Sequence, residues 1–419
     1  MFVRNDVSVD ARVLKEAATL TAAGHEVTIL GTTRPGAPHR VEREPRDGFT
    51  IVRVPMPRWR RWWRWLRAPS RLWSIARRRT AAPGERMDAL DWLAMWQFGT
   101  LAWARTAARE AGPADVYHGH DLTGLPAAVF AQRLNPSARL VYDSHELYLE
   151  SPAVTGRPGW AIARLDRREK EWAFGADALV TVNAAIADVL RERLAVRRVV
   201  VVHNCPPRAL EPIDGADRIR LAAGIPNGTP VIVSHGGFRP GRGMEQLAEA
   251  MLQPGLEGAH LALLGFGPLR DRLVALAAEP RFGGRVHVLD PVPPDEVVQW
   301  VASADVEAVP FRLTPRNHYL STPNKLFEAL TAGVPVVMSN APGVREVIVS
   351  DPDGPLGELC DPTDAADIAR GILAILSLSP ESRADLSERC RRAARERWNW
   401  ETESARLVEL YADLEVARA

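Results

Sequence analysis

The most restrictive feature of the chain is a recurring order of short, almost unbroken Val/Ile/Leu runs with amphipathic stretches between most of them. In the first half these are EVTIL (26–30), TIVRV (50–54), DVYHGH (115–120), RLVYDSHE (139–146), ALVTV (178–182) and RRVVVVHN (197–204). The second half repeats the scheme with PVIVSHGG (230–237), HLALLGFG (260–267), RVHVLD (285–290), VEAVPF (306–311) and VPVVMS (334–339). A strand that is apolar on both sides must be covered on both faces, as in a parallel sheet between two helix layers. The chain therefore reads as α/β, with two doubly wound domains, because 419 residues exceed what one compact core supports. Prolines and an acidic stretch in NCPPRALEPIDG (204–215) interrupt the pattern and mark the seam. Domains of 1–206 and 207–397 follow.

Composition removes several classes of partner. A net charge of +1 gives no overall field for nucleic acid. Cys205, Cys360 and Cys390 are odd in number and far apart, which argues against a disulfide framework or a metal knuckle and fits a reducing cytoplasm. No run of about 20 apolar residues is present, so any membrane contact is expected to be peripheral.

In open α/β sheets, ligands sit beyond the carboxyl ends of the strands. Four stretches lie there. In STPNKLFEALTAGVPVV (321–337), Ser321 or Thr322 can cap a helix, Pro323 suits its first turn, and Gly333 with Pro335 ends it. Its N-terminus, reinforced by Lys325, is a natural diphosphate cradle. Asn324, Lys325 and Glu328 share one face, and a carboxylate there could accept hydrogen bonds from a ribose diol. A capped helix with an ion pair three residues apart would read the same way. In SHGGFRPGRGMEQL (234–247), Gly236 and Gly237 allow close backbone approach, while Arg239 and Arg242 offer donors to phosphate; an ordinary surface loop is the plainer alternative. LGFGPLRDRL (264–273) lacks the third glycine of a dinucleotide fingerprint, so Gly265 and Gly267 can simply make the turn.

The fourth stretch is split. YHGHDLTGLPAA (117–128) and YDSHELY (142–148) put His118, His120, Asp121, Asp143, His145 and Glu146 at two strand ends. His118, His120 and His145 could suggest zinc, but the pattern provides neither a certain third ligand nor an open water position. Lining a polar cleft is the simpler role.

Taken together, these stretches resemble retaining glycosyltransferases of family 4, and the likeness runs over nearly the whole chain. It is carried by NDVSVDARVLKEAATLTAAGHEVTIL, DVYHGHDLTGLPAA, LVYDSHELY, GADALVTVN, VVHNCP, GGFRPGRGMEQL, LALLGFGP and STPNKLFEALTAGVPVVMSNAPGVREVI in this order. The resemblance implies a GT-B fold, two Rossmann-like domains facing a central cleft, with a returning C-terminal helix at about 398–419. It implies transfer of a sugar from a nucleotide-diphosphate sugar, UDP favoured over GDP, to a lipid-linked or small-molecule acceptor in α-linkage, with no metal or other cofactor.

Residue by residue, the resemblance implies that Glu328 contacts the ribose and that the backbone of Ser321, Thr322, Pro323, Asn324 and Lys325 holds the diphosphate. Gly236, Gly237, Arg239 and Gly265 belong to the same donor site. Arg242 takes the place of a phosphate-binding lysine, and the family's arginine falls on Gly237, a charge that Arg239 would have to supply. His120 matches the histidine that touches the donor sugar, so His120, Arg242 and Lys325 form the expected catalytic set. Asn5, Asp6, His118, Asp121, His145 and Glu146 are expected on the acceptor side. The first glutamate of the family's Glu-x7-Glu motif is Leu320 here, which leaves the donor sugar open. The chain begins almost inside its first strand (FVRND). A nucleotide-sugar epimerase of the same fold, and a catalytically silent membrane-associated relic, are the alternatives.

RWRRWWRWLRAPSRLWSIARRR (58–79) stands outside this scheme, with nine arginines, five tryptophans and no acid. Trp59, Trp62, Trp63 and Leu66 recur at helical spacing, which suits a helix lying on an anionic membrane at the inner face, or else a packed segment over the acceptor site.

Overall fold

The structure, a computed structural model, describes residues 1–8, 10–58, 89–210, 212 and 215–416. The chain divides into two compact units. The first comprises Met1–Thr181, Ala187–Val201 and Arg406–Ala419, and the second Val182–Ile186 and Val202–Ala405. The changeover at Val201/Val202 lies a few residues before the seam expected at 206, and the last helix, Trp400–Val416, contributes residues to both units.

The strands of the first unit are β1 (Val27–Thr32), β2 (Glu42–Arg46), β3 (Phe49–Val54), β4 (Val116–His120), β5 (Arg139–Ser144), β6 (Ala178–Thr181) and β7 (Val199–Val201). They form runs in the order β2-β3-β1 and β4-β5-β6-β7, parallel except for β2 against β3. The first residues join the two runs. The Phe2 amide donates to His118 O at 2.7 Å, the His120 amide to Phe2 O at 2.9 Å, and the Val3 amide to Leu30 O at 3.0 Å. In FVRND only Phe2 takes part in the sheet, through isolated parallel bridges to Leu30 and Gly119. β2 was not expected, because EREPR is charged and half-exposed; it survives as an antiparallel edge, the place that tolerates a proline.

In the second unit, β8 (Val231–Gly237), β9 (His260–Phe266), β10 (Val286–Leu289), β11 (Val306–Val309), β12 (Val336–Ser339) and β13 (Gly357–Cys360) form one parallel sheet in the order β10-β9-β8-β11-β12-β13. Counted within the unit this is 3-2-1-4-5-6, the dinucleotide-binding order, whose reversal between β8 and β11 opens a crevice at the strand ends. Ile232, Val233, Leu261, Leu263, Ala308 and Val337 are fully buried on these strands, which is why their sequence runs are unbroken. β13 had no such signature, since GELC is a short, mostly half-buried edge.

Among the described residues no helix is long and apolar enough to cross a membrane. Trp59, Trp62, Trp63 and Leu66, the expected membrane contacts, lie outside the described residues.

Candidate functional site

The crevice of the second unit gathers charge from three elements. β8 ends in His235, Gly236 and Gly237, β11 carries Glu307, and helix Asn324–Ala332 carries Lys325 and Glu328. Gly333, at φ +73°, closes that helix as expected. The start differs from expectation: no side chain caps it. The Ser321 hydroxyl instead donates to His318 O at 2.9 Å, and Thr322 Oγ1 accepts from Asn183 Nδ2 at 3.0 Å. Pro323 has extended backbone and fixes the entry without occupying the first amides, so no side chain takes the positive end of the helix.

Lys325 lies beside that end. Its ammonium is buried and has no hydrogen-bond partner among the described residues. A Cβ placed on Gly236, where φ is +100°, would stand 3.0 Å from Lys325 Cε and 3.3 Å from Nζ. Only glycine admits both the backbone conformation and this approach. Burial, with Arg242 nearby, lowers the Lys325 pKa to about 8, although Glu307 and Glu328 pull it upward.

Glu328 is held from behind. His235 Nε2 is 2.7 Å from Glu328 Oε2 in a hydrogen bond, and His235 Nδ1 is 2.7 Å from Glu307 Oε1 in an ion pair outside hydrogen-bond angles. Glu307 is fully buried, whereas the Glu328 side chain keeps 28% of its surface. Burial disfavours the His235 imidazolium, but the two carboxylates overcome this and raise its pKa to about 9. Sequence reasoning missed His235 and Glu307. The available signal was a lone carboxylate in the otherwise apolar strand VEAVPF.

The other expected donor residues fall around this core. Arg239 is exposed and lies beside Gly237, its Nε 3.8 Å from where a Cβ would stand. Arg242 is half-buried, and Asn324 is exposed. Gly265 has a structural reason of its own, since a Cβ there would meet Gly236 O at 2.0 Å. Leu320, in the place of the family's first glutamate, is 7% exposed, and its carbonyl accepts from Asn183 Nδ2 at 2.8 Å.

The first unit gathers a second cluster at the ends of β4 and β5. Arg12 and Glu16, one turn apart on helix Ala11–Ala22, reach into it. Arg12 Nε is 2.9 Å from Glu16 and 3.1 Å from Asp143, and all three side chains are buried. His118 Nδ1 meets Tyr411 Oη at 2.9 Å, His118 and His120 stack at 4.4 Å, and His120 Nδ1 is 3.2 Å from His145 Nε2. Burial opposes the Asp143 carboxylate, but Arg12 and the histidines overcome it and hold its pKa well below the usual range. Burial and the Asp143 charge push Glu16 well above its own. His120 is held well below its ordinary value by burial and by His118.

Expected as the sugar contact, His120 is 0% exposed. The open end of the cluster is His145 with Asp121, their side chains 17% and 30% exposed. The Asp121 and Asp143 carboxylates outweigh burial and raise His145 to about 10. Glu16, His118, His120 and Asp143 lie close enough to chelate a cation, a set different from the three histidines weighed on sequence. Arg12 already serves as the counter-cation of both carboxylates. Asn5 and Asp6 are spent on their own loop, accepting from the amides of Val7 at 2.8 Å and Ser8 at 3.0 Å. Glu146 is half-buried, and its carbonyl accepts from Ser144 Oγ at 2.9 Å.

Comparison with known proteins covers both units. Residues 229–378 match the family described as glycosyl transferases group 1, and residues 9–205 match the glycosyl transferase 4-like domain. A GDP-mannose-dependent alpha-(1-6)-phosphatidylinositol monomannoside mannosyltransferase of Mycolicibacterium smegmatis is 26% identical over 94% of this chain and 92% of its own length. A D-inositol 3-phosphate glycosyltransferase of Xylanimonas cellulosilytica is 30% identical over 79% of this chain and 80% of its own. Among solved structures, sucrose-phosphate synthase of Thermosynechococcus elongatus superposes with a TM-score of 0.74 at 20% identity, covering 99% of this chain and 98% of that one.

Proposed function

Since this chain belongs to glycosyltransferase family 4, we propose that it moves a sugar, with retention, from a nucleotide-diphosphate sugar held by the second unit to an acceptor hydroxyl. The observation that carries this reading is Lys325. A buried ammonium without a hydrogen-bond partner among the described residues, set against Gly236 beside an uncapped helix N-terminus, suits an anion. The diphosphate takes that place, with Arg242 as a second cation. Glu328, held by His235 and Glu307, presents its carboxylate to the ribose diol.

In the transfer, the acceptor oxygen bonds to the anomeric carbon on the face from which the diphosphate leaves. The sugar–diphosphate bond breaks with its electron pair on the diphosphate, and a diphosphate oxygen takes the acceptor's proton. The chain's task is to stabilise the charge growing on the leaving group, a task that preorganised cations in a closed site perform well. With Lys325, Arg242 and the helix terminus present, this reading requires no divalent metal. GDP-mannose is the leading donor, after the mannosyltransferase named above, ahead of the UDP-sugar that resemblance alone favoured. An inositol-based acceptor, free or lipid-linked, leads on the same ground. Peripheral contact with the inner membrane face through 58–79 fits a lipid-linked acceptor.

A thermal-shift series with GDP, UDP, ADP and dTDP and their sugar conjugates, in EDTA throughout, tests the donor site. Stabilisation by one nucleotide family, lost in Lys325→Ala, is expected. No shift with any, or an equal shift in the variant, overturns the assignment. Incubation of the stabilising donor with inositol phosphates and inositol lipids, followed by mass spectrometry and anomeric NMR, reads transfer and its stereochemistry.

A further inference from the structure

The first unit also holds a cavity of about 330 Å³, within the roughly 300–1,000 Å³ range of small-molecule sites. Its walls follow a spacing of four residues. On helix Gly159–Ala173, Trp160, Arg164, Arg168 and Trp172 recur every fourth position and line it from one side. Trp92 and Trp96, also four apart, line it from the helical segment that runs from Ala89 to Thr100. Trp92, Trp96 and Trp172 are buried and form fixed walls, whereas Trp160 is 57% exposed at the mouth.

Two polar groups on the lining bear on what it could hold. The Trp96 indole N–H has no hydrogen-bond acceptor among the described residues. Arg168 pairs with Glu171 at 2.9 Å, but no ion pair or hydrogen bond joins Arg164 to any described residue. An apolar interior beside an exposed guanidinium that no described residue pairs is complementary to a molecule that is greasy at one end and negative at the other. Trp92 and Trp96 meet at an interplanar angle of 75°, so they form no parallel pair of faces to sandwich a flat ring. A flexible chain fits such mixed edges and faces.

We propose that this cavity binds the hydrocarbon chain of a single-chain anionic amphiphile, with the phosphate or carboxylate head at Arg164 and Arg168. The inference concerns binding alone and does not depend on the sugar-transfer reading.

Isothermal titration of the full chain with decyl phosphate, below its critical micelle concentration, tests it. Saturable one-to-one binding is expected, weakened about tenfold in Trp160→Ala and in Arg164→Gln. Both side chains are exposed, so the variants are expected to keep the wild-type circular dichroism spectrum and thermal midpoint. Absence of binding, or unchanged affinity in both variants, overturns the site. Equal affinity for decanol overturns the anionic head. Tighter binding of naphthyl phosphate overturns the chain in favour of a flat ligand. Binding to phosphatidylglycerol vesicles with none to the monomer overturns the cavity in favour of a membrane-facing surface.

Discussion

The two charged clusters use the same ingredients and end in opposite states. In the first unit, Arg12 is shared between Glu16 and Asp143, three histidines close over Asp143, and the Arg12, Glu16, His118, His120 and Asp143 side chains are buried. In the second, the carboxylates of Glu307 and Glu328 both face His235, and Lys325 has no hydrogen bond to any described residue. The comparison teaches that the number of charges in a cluster does not decide whether its cations are paired within the protein. A buried cation without a hydrogen-bond partner is costly, and at Lys325 the cost shows as a pKa lowered to about 8.

The largest expected effect breaks the closed cluster. Arg12→Met leaves two buried carboxylates without their cation and is expected to cost about 3–5 kcal/mol, read as a fall in the urea midpoint of the first unit. An unchanged midpoint would show that Arg12 is dispensable there. The next breaks the open cluster. Lys325→Ala is expected to lower kcat by about 10²–10³-fold, the usual cost of one preorganised donor at a developing oxyanion. Its thermal midpoint without ligand should hold or rise, because an unpaired buried charge is removed.

A tenfold effect comes from pH. The Lys325 pKa near 8 in the free protein means that its charge fades above that pH. The kcat/KM for the donor should therefore fall about tenfold per unit beyond it, and Lys325→Arg should move that limb to higher pH. A flat profile to pH 9.5 would remove Lys325 from the charged donor site. His235→Gln should raise the donor KM about tenfold with kcat nearly kept, because it loosens Glu328 without touching the diphosphate. A fall in kcat alone would instead place His235 at the reacting centre.

The smallest effect is on stability. His235 has a pKa raised to about 9 from an ordinary 6.5, so its stabilisation is complete below about 6.5 and is lost as pH rises through 9. His235→Gln should flatten that part of the stability profile of the second unit.

The sequence by itself determined the parts governed by local pattern. Strands buried on both faces leave unbroken apolar runs, so β8, β9 and β5 were legible nearly to the residue. Gly333 announced the end of helix Asn324–Ala332, which the structure closes there in the left-handed conformation. β2 and β13 escaped because an edge strand needs no such run. The tertiary structure alone decided how the side chains pair. His235 and Glu328 are 93 residues apart, and Arg12 and Asp143 are 131 apart. It decided too that Ser321 and Thr322 turn away from the helix they were expected to cap. No pattern along the chain records which carboxylate takes which cation. That depends on which strand ends and helix faces the sheet order brings within about 3 Å of each other, the range at which ion pairs and hydrogen bonds form.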